Sequence, residues 1–149
     1  MCGRYSHALT WSDIVRLYRI TEPSAERAPN LPPRYNLAPT QEAPVVRRNP
    51  ETGARSLDLL RWGLIPHWAK DEKIGYKTFN ARAEGIDEKP SFRSAFAKRR
   101  CLVPASGFYE WKREGTGKRP CAIGLKGGEP MTFAGLWENV WSAPVPQAS

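Results

Sequence analysis

Leu102-Val103-Pro104-Ala105-Ser106-Gly107-Phe108-Tyr109-Glu110-Trp111-Lys112 reads as one or two strands. Gly115-Thr116-Gly117 turns the chain into a further strand from Cys121 to Lys126, and Gly127-Gly128 turns it again into Met131 to Trp137. Short extended runs separated by glycine turns are the mark of neighbouring antiparallel strands. Working back from this stretch, Val45 to Arg48 and Leu57 to Trp62 read as two more strands around an Asn49-Pro50-Glu51-Thr52-Gly53 turn. Cys2 to Ser6 can form another.

Helical signals are few. Thr10 reads as an N-cap with Asp13 in the capping-box position. Trp11, Ile14, Val15 and Tyr18 then repeat at helical spacing, so a helix with one apolar face is predicted to end near Ile20. Ser91 is the expected cap of a short second helix with Phe92 and Phe96 on one face. Residues 21–44 hold six prolines, at 23, 29, 32, 33, 39 and 44, so this length is an extended connection rather than a turn. Gly63 to Trp68 reads as a loop, and Tyr76 to Arg82 as an extended segment. Many short strands with two helices predict an α+β fold, mostly antiparallel. At 149 residues, with 40% apolar side chains, one domain over residues 1–149 is the expectation.

The formal net charge is +8, and the basic residues recur in clusters: Arg47-Arg48, Lys98-Arg99-Arg100, Lys112-Arg113 and Lys118-Arg119. Each alone is an ordinary solvated surface; together they favour a polyanionic partner, of which nucleic acid is the commonest. Cys2, Cys101 and Cys121 are an odd set without CxxC spacing, so neither a disulfide framework nor a zinc site is expected. His7 and His67 read as surface histidines without partners at metal-ligand spacing, and no metal or other cofactor is expected. There is no secretory signal and no apolar run long enough to span a bilayer, which predicts a soluble cytoplasmic protein with reduced thiols and no membrane attachment.

Cys2 stands behind the initiator methionine alone. Removal of Met1 would leave a 1,2-aminothiol, an α-amine and a thiol on one carbon skeleton. The α-amine titrates near ~7.7–8.0 and is partly unprotonated at neutral pH. It condenses with an aldehyde to an imine, and the adjacent sulfur then closes a five-membered thiazolidine. Two further stretches carry candidate chemistry. Asn80 and Arg82, followed by Glu84, share a face if the segment is a strand. Glu110 lies between Tyr109 and Trp111, and a carboxylate placed among aromatics suits general acid–base work. Taken alone, Glu110 is an ordinary strand carboxylate, Asn80 an ordinary turn residue and Arg82 an ordinary surface charge.

Six stretches occur in one order: Met1-Cys2-Gly3-Arg4-Tyr5, Arg34-Tyr35-Asn36-Leu37-Ala38-Pro39, Arg61-Trp62-Gly63-Leu64-Ile65-Pro66-His67-Trp68, Phe79-Asn80-Ala81-Arg82-Ala83-Glu84, the run from Arg100 to Trp111, and Phe133-Ala134-Gly135-Leu136-Trp137-Glu138. In that combination the chain resembles the SOS-response-associated peptidase (SRAP) family over residues 2–138. The resemblance implies a curved, barrel-like sheet with a few short helices. It implies a sensor of abasic sites in single-stranded DNA, acting as a monomer and associated with the nucleoid at damage. By motif position Cys2 would be the crosslinking nucleophile, Glu110 the acid–base group, and Asn80 the group that orients the cysteine amine and the sugar. Arg4 and Arg82 would hold flanking phosphates, and Pro39 and Trp68 would pack against bases beside the lesion. The family name adds autoproteolysis of residues ahead of the cysteine.

The family's catalytic histidine, in an Ile-His-Asp-Arg-x-Pro motif beyond the Gly-Leu-Trp-Glu strand, has no counterpart in these 149 residues. The expectation is a domain lacking the family's last third, with residues 142–149 as a loop and Trp137 and Trp141 left exposed. Other readings stay open: a cysteine peptidase acting on other proteins, a non-covalent single-stranded nucleic-acid module, or an inactive short form.

Overall fold

Glu114 and Gly117 close a tight hairpin around Gly115, whose φ of 57° is free for glycine and costly for other residues. The computed structural model describes residues 2–21 and 30–139. In chain order the elements are β1 (Arg4–His7), α1 (Trp11–Tyr18), β2 (Arg34–Leu37), β3 (Glu42–Arg48), β4 (Arg55–Arg61), a 3-10 turn (Glu72–Tyr76), α2 (Arg93–Lys98), β5 (Arg100–Ala105), β6 (Gly107–Glu114), β7 (Gly117–Ile123), a short 3-10 turn (Lys126–Gly128) and β8 (Met131–Leu136). They form two four-stranded sheets, in the orders β2-β1-β6-β7 and β4-β3-β5-β8. Every pairing is antiparallel. The α+β, antiparallel expectation holds. The barrel-like sheet is refined to these two sheets, which do not close into a barrel. The sheets are joined directly at Ser106, where the chain leaves β5 in one sheet and enters β6 in the other.

Two apolar clusters hold the layers. Tyr5, Leu37, Ala43 and Ala105 are buried with Trp62, Val103, Phe108 and Phe133 against them. Edge-to-face contacts run from the Tyr5 ring to Trp62 (5.2 Å) and Phe133 (5.7 Å), a geometry that suits the ring quadrupoles. Leu9, Ile14, Val46 and Leu57 form the second cluster beneath α1. That helix starts with the predicted capping box: the Thr10 hydroxyl accepts from the Asp13 amide, and the Asp13 carboxylate accepts from the Thr10 amide. It ends at Tyr18, two residues early, because Arg19 turns left-handed at φ 50°.

Pro44 lies inside β3, where the sequence reading began the strand at Val45. Proline removes a ladder donor, but β5 pairs with β3 only at Val46 and Arg47, so at Pro44 one neighbour alone, β4, must be satisfied. Three expectations change. His7 is buried, 2% exposed, because alternation in β1 turns it inward with Tyr5. Ser91 does not cap α2, whose N-cap position is Phe92 without a side-chain bond. Trp137 is half-buried under the Arg47 guanidinium, 4.5 Å from the ring centroid. Trp141, the loop at 142–149 and the connection at 22–29 lie outside the described residues, as does Met1. Among the described residues, no helix is long and apolar enough to cross a membrane.

Candidate active site around Cys2

Cys2 enters β1 from one end of the first sheet, beside an open cavity of about 1480 Å³ that it lines with Tyr5, Asn80 and residues of the second sheet. Its thiol donates to the Arg4 carbonyl at 3.1 Å. Burial pushes the thiol above its ordinary range and the Glu110 carboxylate pushes it further, while main-chain hydrogen bonding at Arg4 and Tyr109 opposes both. The sulfur therefore rests as a neutral thiol at neutral pH, and the thiolate, the reactive form, must be generated during reaction.

Strand register brings Glu110 to this thiol. Arg4 faces Tyr109 and Tyr5 faces Phe108 across the β1–β6 pair. Side chains alternate along β6, so Phe108 and Glu110 share the face on which Tyr5 lies, and Tyr109 shares the opposite face with Arg4. Phe108 confirms the inward direction by its ring contact with Phe133 (5.9 Å). Arg4 is exposed and donates to the Asn36 side-chain oxygen on β2 at 3.0 Å.

Asn80 arrives by a different route. The segment from Lys77 to Arg82 is irregular, not the extended strand expected, so alternation does not set which way Asn80 and Arg82 point. Tertiary bonds set it instead. The Thr78 hydroxyl donates to the carbonyls of Leu64 and Ile74. The Trp62 indole N–H donates to the Phe79 carbonyl at 2.7 Å, and the Trp62 ring packs edge-to-face on Phe79 at 5.9 Å. So held, the Asn80 side-chain amide donates to the Cys2 carbonyl at 2.5 Å. Close backbone approach supports the same corner: at Gly63, φ 127°, an added Cβ would stand 2.8 Å from the Gly75 carbonyl oxygen.

Trp62 is the residue that sequence reading missed. Its carbonyl accepts from Thr40 (2.7 Å) and its amide donates to the Gln41 carbonyl (2.9 Å), so it also fastens the Ala38–Gln41 turn that carries Pro39. In the sequence it was only the end of a strand. Of the expected site residues, Cys2, Asn80, Glu110 and Arg4 gather at the N-terminal end of β1. Arg82 is exposed beyond Asn80. Trp68 is half-exposed, donates to the Pro90 carbonyl at 3.3 Å, and lines a separate depression with Lys70, Lys73 and Lys77. The three cysteines are unpaired. Among the described residues, no group of three or more His, Cys, Asp or Glu side chains could hold a metal ion.

A family model described as SOS response associated peptidase (SRAP) matches residues 1–148. Abasic site processing protein YoqW of Bacillus subtilis is 45% identical over 147 residues, 97% of this chain and 62% of that protein. Abasic site processing protein YoaM of the same organism is 46% identical over 145 residues, 95% and 61% of the two chains. Abasic site processing protein HMCES of Gallus gallus is 34% identical over 140 residues, 83% and 42%. Among solved structures, a Bacteroides thetaiotaomicron protein superposes with a TM-score of 0.75 at 29% identity, covering 91% of this chain and 61% of that one. The chain thus spans about 62% of the length of its bacterial relatives YoqW and YoaM.

Proposed function

Because the chain belongs to the SOS response associated peptidase (SRAP) family, we propose that it reacts with abasic sites in single-stranded DNA and binds them covalently through Cys2 once Met1 is removed. The observation that carries this reading is the convergence of Asn80 and Glu110, from distant parts of the chain, on a cysteine at position 2. The family match and the printed names of the relatives supply the substrate class.

The chemistry balances with one water lost. The Cys2 α-amine adds to the aldehyde carbon of the ring-opened sugar and gives a carbinolamine. Proton transfer to its hydroxyl expels water and leaves an imine. The sulfur then bonds to the imine carbon as its proton passes to the nitrogen, and a thiazolidine results. Glu110 is the group that carries these protons. Asn80, by fixing the Cys2 carbonyl, holds the backbone from which amine and thiol project, the kind of orientation that lowers a barrier without new bonds. The raised thiol affinity for its proton fits an order in which the amine attacks first and the sulfur second. Arg4 and Arg82 hold phosphates beside the lesion, and Pro39 and Trp68 meet its neighbouring bases. Autoproteolytic release of Met1 is a further activity in keeping with the family name.

The test compares abasic and intact single-stranded oligonucleotides on a denaturing gel. A shifted band with the abasic strand alone is expected, and its intact mass equals protein plus DNA minus one water. Protein carrying an unremovable extension ahead of Met1 should form no adduct, while replacement of Cys101 and Cys121 should leave the yield unchanged. Equal adduct formation by the blocked protein would overturn the aminothiol mechanism.

A further inference from the structure

Cys2 borders two environments of opposite character. On one side it neighbours the exposed Arg4. On the other it lines the open cavity of about 1480 Å³, whose wall carries Trp62, Leu64, Val103, Phe133 and Leu136. Cys2 packs against the same core cluster as Trp62, Val103 and Phe133, so this hydrocarbon begins at the cysteine itself. The cavity exceeds the roughly 300–1,000 Å³ that holds a small organic ligand. Of the cations on its wall, Arg61 is held by Glu72 at 2.9 Å, and Lys70 and Arg100 are exposed. A phosphodiester chain finds no partner on the apolar part of that wall, where burying charge is costly. One polar group does await a ligand. Tyr5 also lines the cavity, and its hydroxyl is buried without a hydrogen-bond partner among the described residues. A buried O–H without an acceptor is unfavourable, and a ligand oxygen would satisfy it.

We propose that the cavity admits apolar aldehydes, with the hydrocarbon tail on this wall and the carbonyl carbon at Cys2, and that the aminothiol captures them as thiazolidines in competition with DNA. The proposal rests on the aminothiol reading above and not on the choice of DNA as substrate. The occupant is argued from the chemistry of the two ends: a 1,2-aminothiol selects an aldehyde, and a hydrocarbon wall selects an apolar tail. The step balances with one water lost and needs no oxidant or reductant. The amine nitrogen bonds to the aldehyde carbon, and its proton passes to the oxygen. The hydroxyl leaves as water, giving an imine. The sulfur then bonds to the same carbon while the thiol proton passes to nitrogen.

The experiment follows intact mass over time for Met1-processed protein mixed, without DNA, with octanal or acetaldehyde. Cysteine methyl ester gives the intrinsic reactivity of an aminothiol, and thermal melting of each protein is the folding check. A mass of protein plus octanal minus one water is expected. The octanal-to-acetaldehyde rate ratio should exceed that of the ester by at least about tenfold, the effect of about two buried methylenes. Val103→Thr, which keeps the shape of valine, and Leu136→Asn should each lower the ratio toward that of the ester. Leu17→Asn, at a half-exposed position on α1, should leave it unchanged. Glycolaldehyde phosphate should gain no advantage over acetaldehyde. A ratio equal to that of the ester overturns the proposal, as does an unchanged ratio in both folded wall variants. So does a larger advantage for glycolaldehyde phosphate than for octanal, or the absence of any adduct. Self-association of wild type with the ratio of the ester also overturns it and assigns the cavity to a polypeptide. The two reactions fail separately. Adduct on abasic DNA without preference for octanal removes only the aldehyde cavity, and preferred capture of octanal without adduct on abasic DNA removes only the DNA reading.

Discussion

Replacing Trp62 with phenylalanine tests whether the irregular segment bearing Asn80 is held in place by a single indole. The change removes the N–H that donates to the Phe79 carbonyl at 2.7 Å and keeps a ring for Tyr5, 5.2 Å away. An orphaned, partly buried carbonyl costs about 1–3 kcal/mol, and the volume lost with the larger ring adds about 1 kcal/mol. A total of about 2–4 kcal/mol corresponds to a melting temperature lower by roughly 5–15 °C for a chain of this size. The functional effect is separable. With Phe79 released, Asn80 reaches the Cys2 carbonyl less often, and crosslinking should slow about tenfold, equivalent to about 1.4 kcal/mol of lost orientation. Phe79→Leu is the control: it loses the ring contact at 5.9 Å but keeps the main-chain acceptor. Calorimetry gives the two stabilities, and gel time courses well below both melting temperatures give the rates. The reasoning predicts that Trp62→Phe is slower than Phe79→Leu at comparable stability. If the two rates match, or if Trp62→Phe melts and reacts like wild type, Trp62 does not position Asn80.

Glu110→Gln should slow crosslinking by roughly 10²–10⁴-fold, the usual range for general acid–base catalysis, with little change in DNA affinity; it should also let the Cys2 thiol titrate lower, since the carboxylate is one cause of its elevation, as read by the pH dependence of alkylation. Affinity for single-stranded DNA should fall steeply with salt and weaken in Arg4→Ala and Arg82→Ala; a flat salt response would refute the phosphate contacts. His7 gives a pH prediction. Burial holds its pKa below the ordinary 6.5, so the unfolded chain binds the proton more readily. Its contribution to stability is complete above about 6.5 and is lost as pH falls through the lower folded value. Denaturant midpoints should therefore drop below pH ~6.5, and His7→Gln should flatten that limb. The carboxylates Asp13 and Asp58, both held below 3.8, act only in a more acid window, so a midpoint unchanged down to pH 5 would contradict the buried neutral histidine.

What was legible in the chain was whatever short-range chemistry dictates. The Thr10–Asp13 capping box, the Asn49–Gly53 turn and the glycine hairpin at Gly115 each state their structure within a few residues, and each formed. Two departures are local, the left-handed Arg19 that ends α1 and the uncapped start of α2; the others arose where a distant partner decides. His7 alternates correctly in its strand, but which face is inward depends on the packing of Tyr5 against Trp62 and Phe133. Pro44 argues against a central strand until it is known that β5 stops short of it. The segment at Asn80 has the residues of a strand but, among the described residues, joins neither sheet, and tertiary hydrogen bonds give it an irregular path. The same division runs through the candidate site. That position 2 is a cysteine is visible at once, and so is the aminothiol it would become. That the Glu110 carboxylate bears on its thiol depends on the register of Arg4 with Tyr109. That Asn80 reaches its carbonyl depends on Trp62, a side chain outside the list of reactive groups. Chemical identity is local, whereas catalytic geometry is made by register and by non-reactive residues, so Trp62 and the β1–β6 pairing are as necessary to the proposed reaction as the groups that would touch the sugar.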